Sequence, residues 1–374
     1  MNYFKPTLML LGALMIIFTS AVGSLFIVSK IVPRERVADT VSALAVDPSL
    51  RASIESGVQF HCIWSSYTDE DREAVLDKIV DANIDRVRID MAWDGLEESK
   101  GQPNKWYVGQ ADKCVNMAKK RGLEVLITMH MTPDWANGDK GTAAPPSDVK
   151  DFGDFMTWSA DHFKGRVSAY EIWNEPDPDQ KFFTGTTAEY VAMLKAGYTG
   201  VKESDVDAKV VLGAPSTNDD AWIKEIYELG AKDYFDIMAT HPYQAVADAP
   251  PEYPDDGNKW WLSHFPTVLE VMKEYDDEDK EVWFTEFGYS THSNSPDVKN
   301  HQRGVSEAEQ AAYLVRAFEY VQQKYPTVTA MYIYGERDRV DADTHLNGYG
   351  ILKSDLEPKR SYFALKRYFQ EPSE

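Results

Sequence analysis

Two glutamates mark where this chain can do chemistry. Glu175 stands in the run Tyr170-Glu171-Ile172-Trp173-Asn174-Glu175-Pro176-Asp177. Val167, Tyr170 and Ile172 read as a short buried strand, and Pro176 ends it, because proline cannot donate to a ladder. Glu286 closes a second apolar run, Val282-Trp283-Phe284-Thr285-Glu286-Phe287-Gly288. A carboxyl group just past the carboxyl end of a strand sits where catalytic groups collect in a (β/α)₈ barrel. Glu175 alone has a plainer reading, as a turn residue that merely faces water. Two of them, on separate strands, make the acid/base and nucleophile pair that breaking a glycosidic bond requires.

The elements that must position them follow from periodicity. From Gly57 onward, strand and helix patterns alternate eight times. Strands are expected at 57–61, 86–91 and 123–129, in the stretch leading to Glu175, and at 209–212, 235–239, 281–285 and 329–334. Helices are expected at 68–82, 110–121, 149–163, 187–201, 220–229, 262–275, 306–324 and 361–369. Thr68 caps the first helix above Asp69, Glu70 and Asp71, as the helix dipole prefers. Ser306 and Glu309 form a capping-box pattern. Such alternation implies a parallel sheet, and the length fits a single (β/α)₈ TIM barrel. A doubly wound sheet is the rival, but Gly57-Val58-Gln59-Phe60-His61 is no phosphate-binding loop. Segments 138–146 and 246–259, rich in Gly, Pro and Asp, read as rim loops.

The strand ends carry a ring of carboxylates, imidazoles and aromatic rings. Strand one offers His61 and Trp64; strand two Arg88, Asp90 and Trp93; strand three His130 and Trp135. Strand four offers Trp173, Asn174 and Glu175, strand six His241 and Tyr243, strand seven Glu286 and Tyr289. Strand eight offers Tyr334, Glu336, Arg337 and Asp338. Aromatic faces suit the apolar C–H faces of sugar rings, although Trp64 and Trp173 read equally as core. We take Glu175 and Glu286 as catalytic. Arg88, Trp93, His130, Trp135, Asn174, His241, Tyr243 and Tyr334 are the substrate-binding candidates. Glu175 must hold a proton to give to the leaving oxygen. Arg88, pointing inward, would set its guanidinium against the Glu286 carboxylate. Asn174 suits the sugar 2-hydroxyl.

These motifs resemble those of the clan A glycoside hydrolases, closest to families 39 and 5 with their retaining β-glycosidases. The resemblance covers 57–369. It rests on Arg88-Ile89-Asp90-Met91-Ala92-Trp93, Thr132-Pro133-Asp134-Trp135-Ala136, Trp173-Asn174-Glu175-Pro176-Asp177, His241-Pro242-Tyr243 and Thr285-Glu286-Phe287-Gly288. It implies that the Asn-Glu pair after strand four supplies the acid/base, Glu175, and that the strand-seven glutamate, Glu286, is the nucleophile. Where the clan often has a tryptophan at strand eight, this chain has Tyr332-Ile333-Tyr334-Gly335-Glu336-Arg337-Asp338. The expected partner is a β-linked polysaccharide or oligosaccharide, with no metal and no cofactor.

Composition narrows the field further. A net charge of −22 over 374 residues disfavours nucleic acid and anionic lipid. The two cysteines, Cys62 and Cys114, follow no metal-ligand spacing and read as unpaired thiols. Residues 8–28 are apolar and long enough to span a bilayer. They read as a membrane anchor or a signal segment in residues 1–30, followed by a linker at 31–52 and the catalytic domain at 53–374. Basic residues after the segment place the chain in the cytoplasm, whereas the chemistry suits an exported enzyme. Two rival functions remain: a metal-dependent barrel hydrolase using His61, His130, His241 and His292, and a non-catalytic, membrane-tethered glycan binder.

Overall fold

The computed structural model describes residues 54–370, apart from positions 66, 180 and 341–343. The apolar amino-terminal segment and the linker lie outside the described residues, within which no helix is long and apolar enough to cross a membrane. Parallel strands alternate with helices throughout: β1 (Glu55–Gln59), α1 (Asp69–Asp81), β2 (Arg86–Ala92), α2 (Lys105–Lys120), β3 (Glu124–His130), α3 (Val149–His162), β4 (Ala169–Ile172) and α4 (Thr187–Ser204) come first. Then follow β5 (Lys209–Leu212), α5 (Asp220–Glu228), β6 (Met238–Thr240), α6 (Pro266–Glu274), β7 (Val282–Phe287), α7 (Glu307–Lys324), β8 (Val328–Ile333) and α8 (Arg360–Gln370). A small antiparallel hairpin, Glu97–Ser99 with Gln102–Pro103, decorates the β2–α2 connection.

The strands pair in the order β5-β4-β3-β2-β1-β8-β7-β6. A parallel bridge between Val211 and Ile237, with Leu212 N–H donating to Ile237 O at 3.0 Å, joins the two end strands and closes the barrel. Closure removes sheet edges and commits every inward side chain to the axis. The lower interior is apolar: Leu126, Ala169, Val211, Ile237, Ala239, Trp283, Ala330 and Tyr332 form one buried cluster. Outward side chains form a larger cluster with the helices, for instance Val87, Ile89, Met91, Ile127 and Phe284. Alternation thus builds two cores from one sheet.

Local sequence sets the helix starts. Thr68, Thr186 and Ser306 each close a capping box, with Asp71, Glu189 and Glu309 respectively. The helix expected at 262–275 is interrupted. A 3₁₀ turn at Leu262–His264 precedes α6, which starts afresh with Pro266 near its first turn. Proline is tolerated there because its missing N–H would have no partner in the helix. One glycine is dictated by contact: a Cβ on Gly213, after β5, would sit 2.2 Å from the Ile172 carbonyl oxygen.

The cysteines are a correction. Cys62, just after β1, and Cys114, in α2, are joined by a disulfide with Cα atoms 6.0 Å apart. Both are fully buried. Their separation of 52 residues in sequence hid the pairing. Tying the β1–α1 connection to α2 removes loop entropy from the unfolded chain, which is worth about 4 kcal/mol for a loop of this size in the chain-entropy description. We therefore expect no free thiol in the denatured, unreduced protein by thiol titration. Replacing both cysteines by alanine should lower the unfolding free energy in urea by roughly 2–4 kcal/mol. A full complement of free thiols would contradict the bond.

Candidate active site

The β4 exit is a tight, pinned turn. Trp173 and Glu175 both adopt left-handed backbone, with φ of 75° and 45°, a conformation that persists only where the surroundings hold it. Here Trp173 N–H donates to Met129 O at 2.9 Å and Glu175 N–H to Ala214 O at 3.0 Å. The buried Asp177 carboxylate accepts the Ser216 amide at 2.7 Å and its hydroxyl at 2.8 Å. The Asn-Glu-Pro-Asp turn is thereby locked to the β5 end. Tyr190 adds a further tie, its hydroxyl donating to Ile172 O at 3.1 Å and accepting from Gly213 N–H at 2.8 Å.

Glu286 reaches the interior by a different device. Against β8, Met331 pairs with Phe284 and Ile333 with Phe287, so β7 carries one extra residue there. Strict alternation would turn Thr285 and Glu286 to opposite faces. The bulge lets both meet the axis.

Arg88 lies beneath both glutamates and is wholly buried. Its Nε donates to Glu171 at 2.8 Å, Nη1 to Gln59 at 2.7 Å and to Glu286 Oε1 at 2.7 Å, and Nη2 to Asn174 Oδ1 at 2.8 Å. Burial opposes its charge, but Glu171, Asp90 and Glu286 more than offset that and hold its pKa above the ordinary value. Glu171 also accepts the hydroxyls of Thr128 at 2.6 Å and Thr285 at 2.7 Å. Tyr243 OH donates to Glu286 Oε2 at 2.9 Å. Burial, reinforced by Glu286, pushes the Tyr243 pKa well up, so it stays a neutral donor.

His241 links this network to Glu175. Its Nε2 is 3.1 Å from Thr285 Oγ1 and its Nδ1 is 2.9 Å from Glu175 Oε1. The Thr285 proton is given to Glu171, so Thr285 Oγ1 accepts from Nε2–H. The neutral imidazole then presents a bare Nδ1 to Glu175, and a proton must lie between them. Burial raises the Glu175 pKa, Glu286 and Asp177 raise it further, and the His241 contact opposes them. Burial works against the His241 charge, but Glu286 and Glu175 outweigh it and raise its pKa. The pair holds its proton jointly.

Above the glutamates opens a cavity of about 500 Å³, within the usual range for ligand sites. His61, Trp64, Asp90, His130, Asn174, Tyr243 and Tyr334 line it, with Ser216, Gln244 and Trp260 on the β5–β6 side. None of its described lining residues is lysine or arginine. His130 is kept neutral mainly by burial. His241 and Arg88 contact the two glutamates from below.

Two candidates lie elsewhere. Trp93 is fully buried, stacked on Phe155 at 5.2 Å with its indole N–H donating to Glu97 at 2.6 Å. It is core, because it continues the outward series Val87, Ile89 and Met91 and packs between the sheet and α3. Trp135 lines a separate groove of about 200 Å³ with Phe155 and Trp158. Residues not singled out from sequence are Gln59, Thr128, Glu171 and Thr285. The signal for Glu171 was a charge inside a strand of otherwise buried residues, which demands a buried cation such as Arg88.

Among the described residues, two groups bring three potential ligand atoms within 4.8 Å of one another: Glu175, His241 and Glu286, and Asp177, Asp179 and Asp219. In the second, Lys259 already sits between two of the three, pairing with Asp179 at 2.7 Å and Asp219 at 2.5 Å. The four histidines considered as a ligand set do not converge: His61 pairs with Glu336, and His292 turns to the Ser293 carbonyl.

Removing Arg88 would strand the buried Glu171 carboxylate. Breaking a buried pair from one side costs about 3–5 kcal/mol. Arg88→Met should therefore lose roughly that much stability in urea unfolding. Arg88→Met together with Glu171→Leu should recover part of it without restoring the orientation of Glu286. A stability loss under about 1 kcal/mol for the single variant would show that Arg88 is not the keystone described.

The profile of the family "Cellulase (glycosyl hydrolase family 5)" matches residues 50–332. A beta-xylosidase from Caldicellulosiruptor saccharolyticus is 28% identical over 148 residues, covering 35% of this chain and 30% of that protein. Among solved structures, a family 39 glycoside hydrolase from the gut symbiont Bacteroides cellulosilyticus WH2 superposes with a TM-score of 0.66 at 23% identity, over 86% of this chain and 64% of that one. A GH5_18 protein from Streptomyces cattleya, in complex with GlcNAc, superposes with a TM-score of 0.64 at 17% identity, over 84% of this chain and 79% of that one. The chain thus spans about a third of the curated relative and under two thirds of the first of these structures. The structural likenesses show a shared fold. With most of the barrel matched by its profile, this chain belongs to glycosyl hydrolase family 5.

Proposed function

We propose that the chain is a retaining β-glycoside hydrolase acting by double displacement on a β-linked oligosaccharide or polysaccharide. One observation carries the reading: carboxylate oxygens of Glu175 and Glu286 lie within 4.8 Å of each other across the cavity floor. Retaining pairs stand about 5–5.5 Å apart, whereas inverting pairs need about 6.5–9.5 Å to admit a water.

The roles follow from surroundings. Glu175, with its raised pKa, gives its proton to the glycosidic oxygen as the bond to the anomeric carbon breaks. Glu286, fixed by Arg88 and Tyr243, attacks that carbon from the opposite face and forms the glycosyl-enzyme. Glu175, now a carboxylate, takes a proton from water; the water oxygen attacks the same carbon and Glu286 leaves. His241 acts as a positioning residue that holds Glu175. Asn174 is placed to bind the sugar 2-hydroxyl, its own carbonyl oxygen being fixed by Arg88. A cavity lined without lysine or arginine suits a neutral sugar, in keeping with the xyloside and GlcNAc named for two relatives.

We also propose that the barrel is exported, tethered or released through residues 1–30. The Cys62–Cys114 disulfide supports this, since such bonds persist in oxidising compartments. Protease added to intact cells should degrade the barrel; protection lost only when both membranes are broken would place it in the cytoplasm.

The glutamate roles are separable. Glu286→Ala removes the nucleophile. Glu175→Ala removes a proton that a nitrophenolate leaving group does not need but a sugar alkoxide does. The Glu175 variant should keep glycosylation on aryl β-glycosides, accumulate the covalent intermediate, and yield a β-glycosyl azide when azide is added. On the natural linkage it should lose roughly 10²–10⁴-fold. If Glu286→Ala gives the β-glycosyl azide instead, and Glu175→Ala stays inert, the roles are reversed.

A further inference from the structure

The acid/base stands on the β4 side of the cavity, with Ser216, Gln244 and Trp260 beyond it. A leaving group protonated by Glu175 must lie there. The transferred sugar then faces the opposite wall, formed by the tips of β8, β1 and β2. That wall is two layers thick. His61, Trp64, Asp90 and Tyr334 face the cavity. The His61 ring lies tilted against Trp64 with centroids 3.9 Å apart and meets Tyr334 edge-on at 5.5 Å. Behind it, Glu336 is 1% exposed. It accepts His61 Nδ1–H at 2.8 Å, the His61 amide at 3.3 Å, and the Tyr67 hydroxyl. Arg337 lies 3.7 Å over the Tyr67 ring and Arg339 4.4 Å over Trp64. The segment after β8 is thus clamped to the segment after β1, where an open cleft would need a gap.

Glu336 holds a proton of His61 on Nδ1, which leaves Nε2 to bond a hydroxyl in the cavity. Asp90 is its neighbour: Gln59 pairs with Arg88 across β1 and β2, and His61 and Asp90 each follow two residues later on the same face. The Asp90 carboxylate takes one hydrogen bond, from Gln59 at 2.9 Å, and its other oxygen lies 3.4 Å from Arg88 Nη1. Oδ1 is buried against Arg88, and the exposed third of the side chain, 31%, presents the Oδ2 side to the cavity. An imidazole nitrogen and a carboxylate side by side match two adjacent hydroxyls. On a pyranose whose anomeric carbon sits at Glu286, the hydroxyls reaching the far wall are those on carbons 3 and 4.

We propose that His61 and Asp90 recognise the 3- and 4-hydroxyls of a terminal neutral sugar. The Glu336-backed wall behind them ends the cleft, so single residues are removed from non-reducing ends. This rests on the glycosidase reading above. Were the 4-hydroxyl substituted by a further sugar, that sugar would have to occupy the space of the His61–Trp64 pair.

The test uses the full chain with 4-nitrophenyl β-xyloside, β-glucoside, β-mannoside and β-galactoside. For the best of these it adds the aryl glycoside of the β-1,4-linked disaccharide, with its terminal 4-hydroxyl free or methylated. Wild type should cleave the monosaccharide glycoside directly. It should release nitrophenol from the free disaccharide glycoside only after the terminal residue has appeared, and should leave the methylated one intact. A 4-deoxy monosaccharide glycoside should lose roughly 10- to 150-fold in kcat/KM, the range for a hydrogen bond to a charged group. Asp90→Asn should shrink that discrimination. Release of intact disaccharide in the first turnover, cleavage of the methylated compound at a comparable rate, or unchanged discrimination in Asp90→Asn would each overturn the proposal while leaving the glycosidase reading standing. Inactivity on the monosaccharide glycosides, with aryl glycosides of longer β-1,4-linked chains cleaved, would overturn this inference alone; inactivity on those as well would overturn the glycosidase reading, and this inference with it. The capped substrates need no variant, so the result does not hang on the folding of Asp90→Asn.

Discussion

A guanidinium with no contact to water organises this site. Isolated in an apolar interior, the Arg88 charge would be expensive; surrounded as it is, it fixes the position of everything around it. Glu171 takes the Nε edge, which leaves the Nη groups to divide among Gln59, Glu286 and Asn174. The planar fork sets where those atoms must lie, and an ammonium could not impose the same plane. The orientation of the proposed nucleophile and that of the asparagine beside the proposed acid therefore share one cause. They sit on strands β7 and β4, and the arginine on β2 is the part common to both.

The same arrangement gives the two glutamates unlike environments. Glu286 faces a cation and a phenol. Glu175 faces an imidazole whose far nitrogen is committed through Thr285 to Glu171. One buried carboxylate, Glu171, thus serves both: directly as the counter-charge to Arg88, and through Thr285 as the group that fixes the His241 tautomer. Chemistry that needs one carboxyl protonated and another ionised at the same pH needs such a difference, and here it arises from connectivity rather than distance, since the two lie close together.

How much of this was legible in the sequence depends on the range of the signal. Strand–helix alternation and the caps at Thr68 and Ser306 are local patterns, and they survive in the fold. The positions of Glu175 and Glu286 were legible because each ends a strand. The bulge that turns Glu286 inward was not, since it appears only as a mismatch with β8. Trp93 was misplaced because its parity was overlooked: it continues the outward series Val87, Ile89 and Met91, opposite to Arg88 and Asp90. The disulfide joins a loop to a helix with no spacing rule to announce it. Glu171 was passed over although a charge in a buried strand demands a partner; that partner, Arg88, lies on β2 and meets it only when the barrel forms.

The departure at β8 shows how a substitution within a shared plan can be read. Tyr334 supplies an aromatic ring to the cavity, but two residues later a carboxylate enters the wall. A buried carboxylate must find donors, and the nearest lie on the segment after β1: the His61 ring and amide, and the Tyr67 hydroxyl. Those bonds join two loops that the sheet leaves independent beyond their strands. The apolar lower barrel, from Leu126 to Tyr332, needs none of them. The fold is therefore secured in its lower interior by packing, while the shape of the cavity is set above by charges that demand specific partners. A change at Glu336 would act on that shape and leave the lower core untouched.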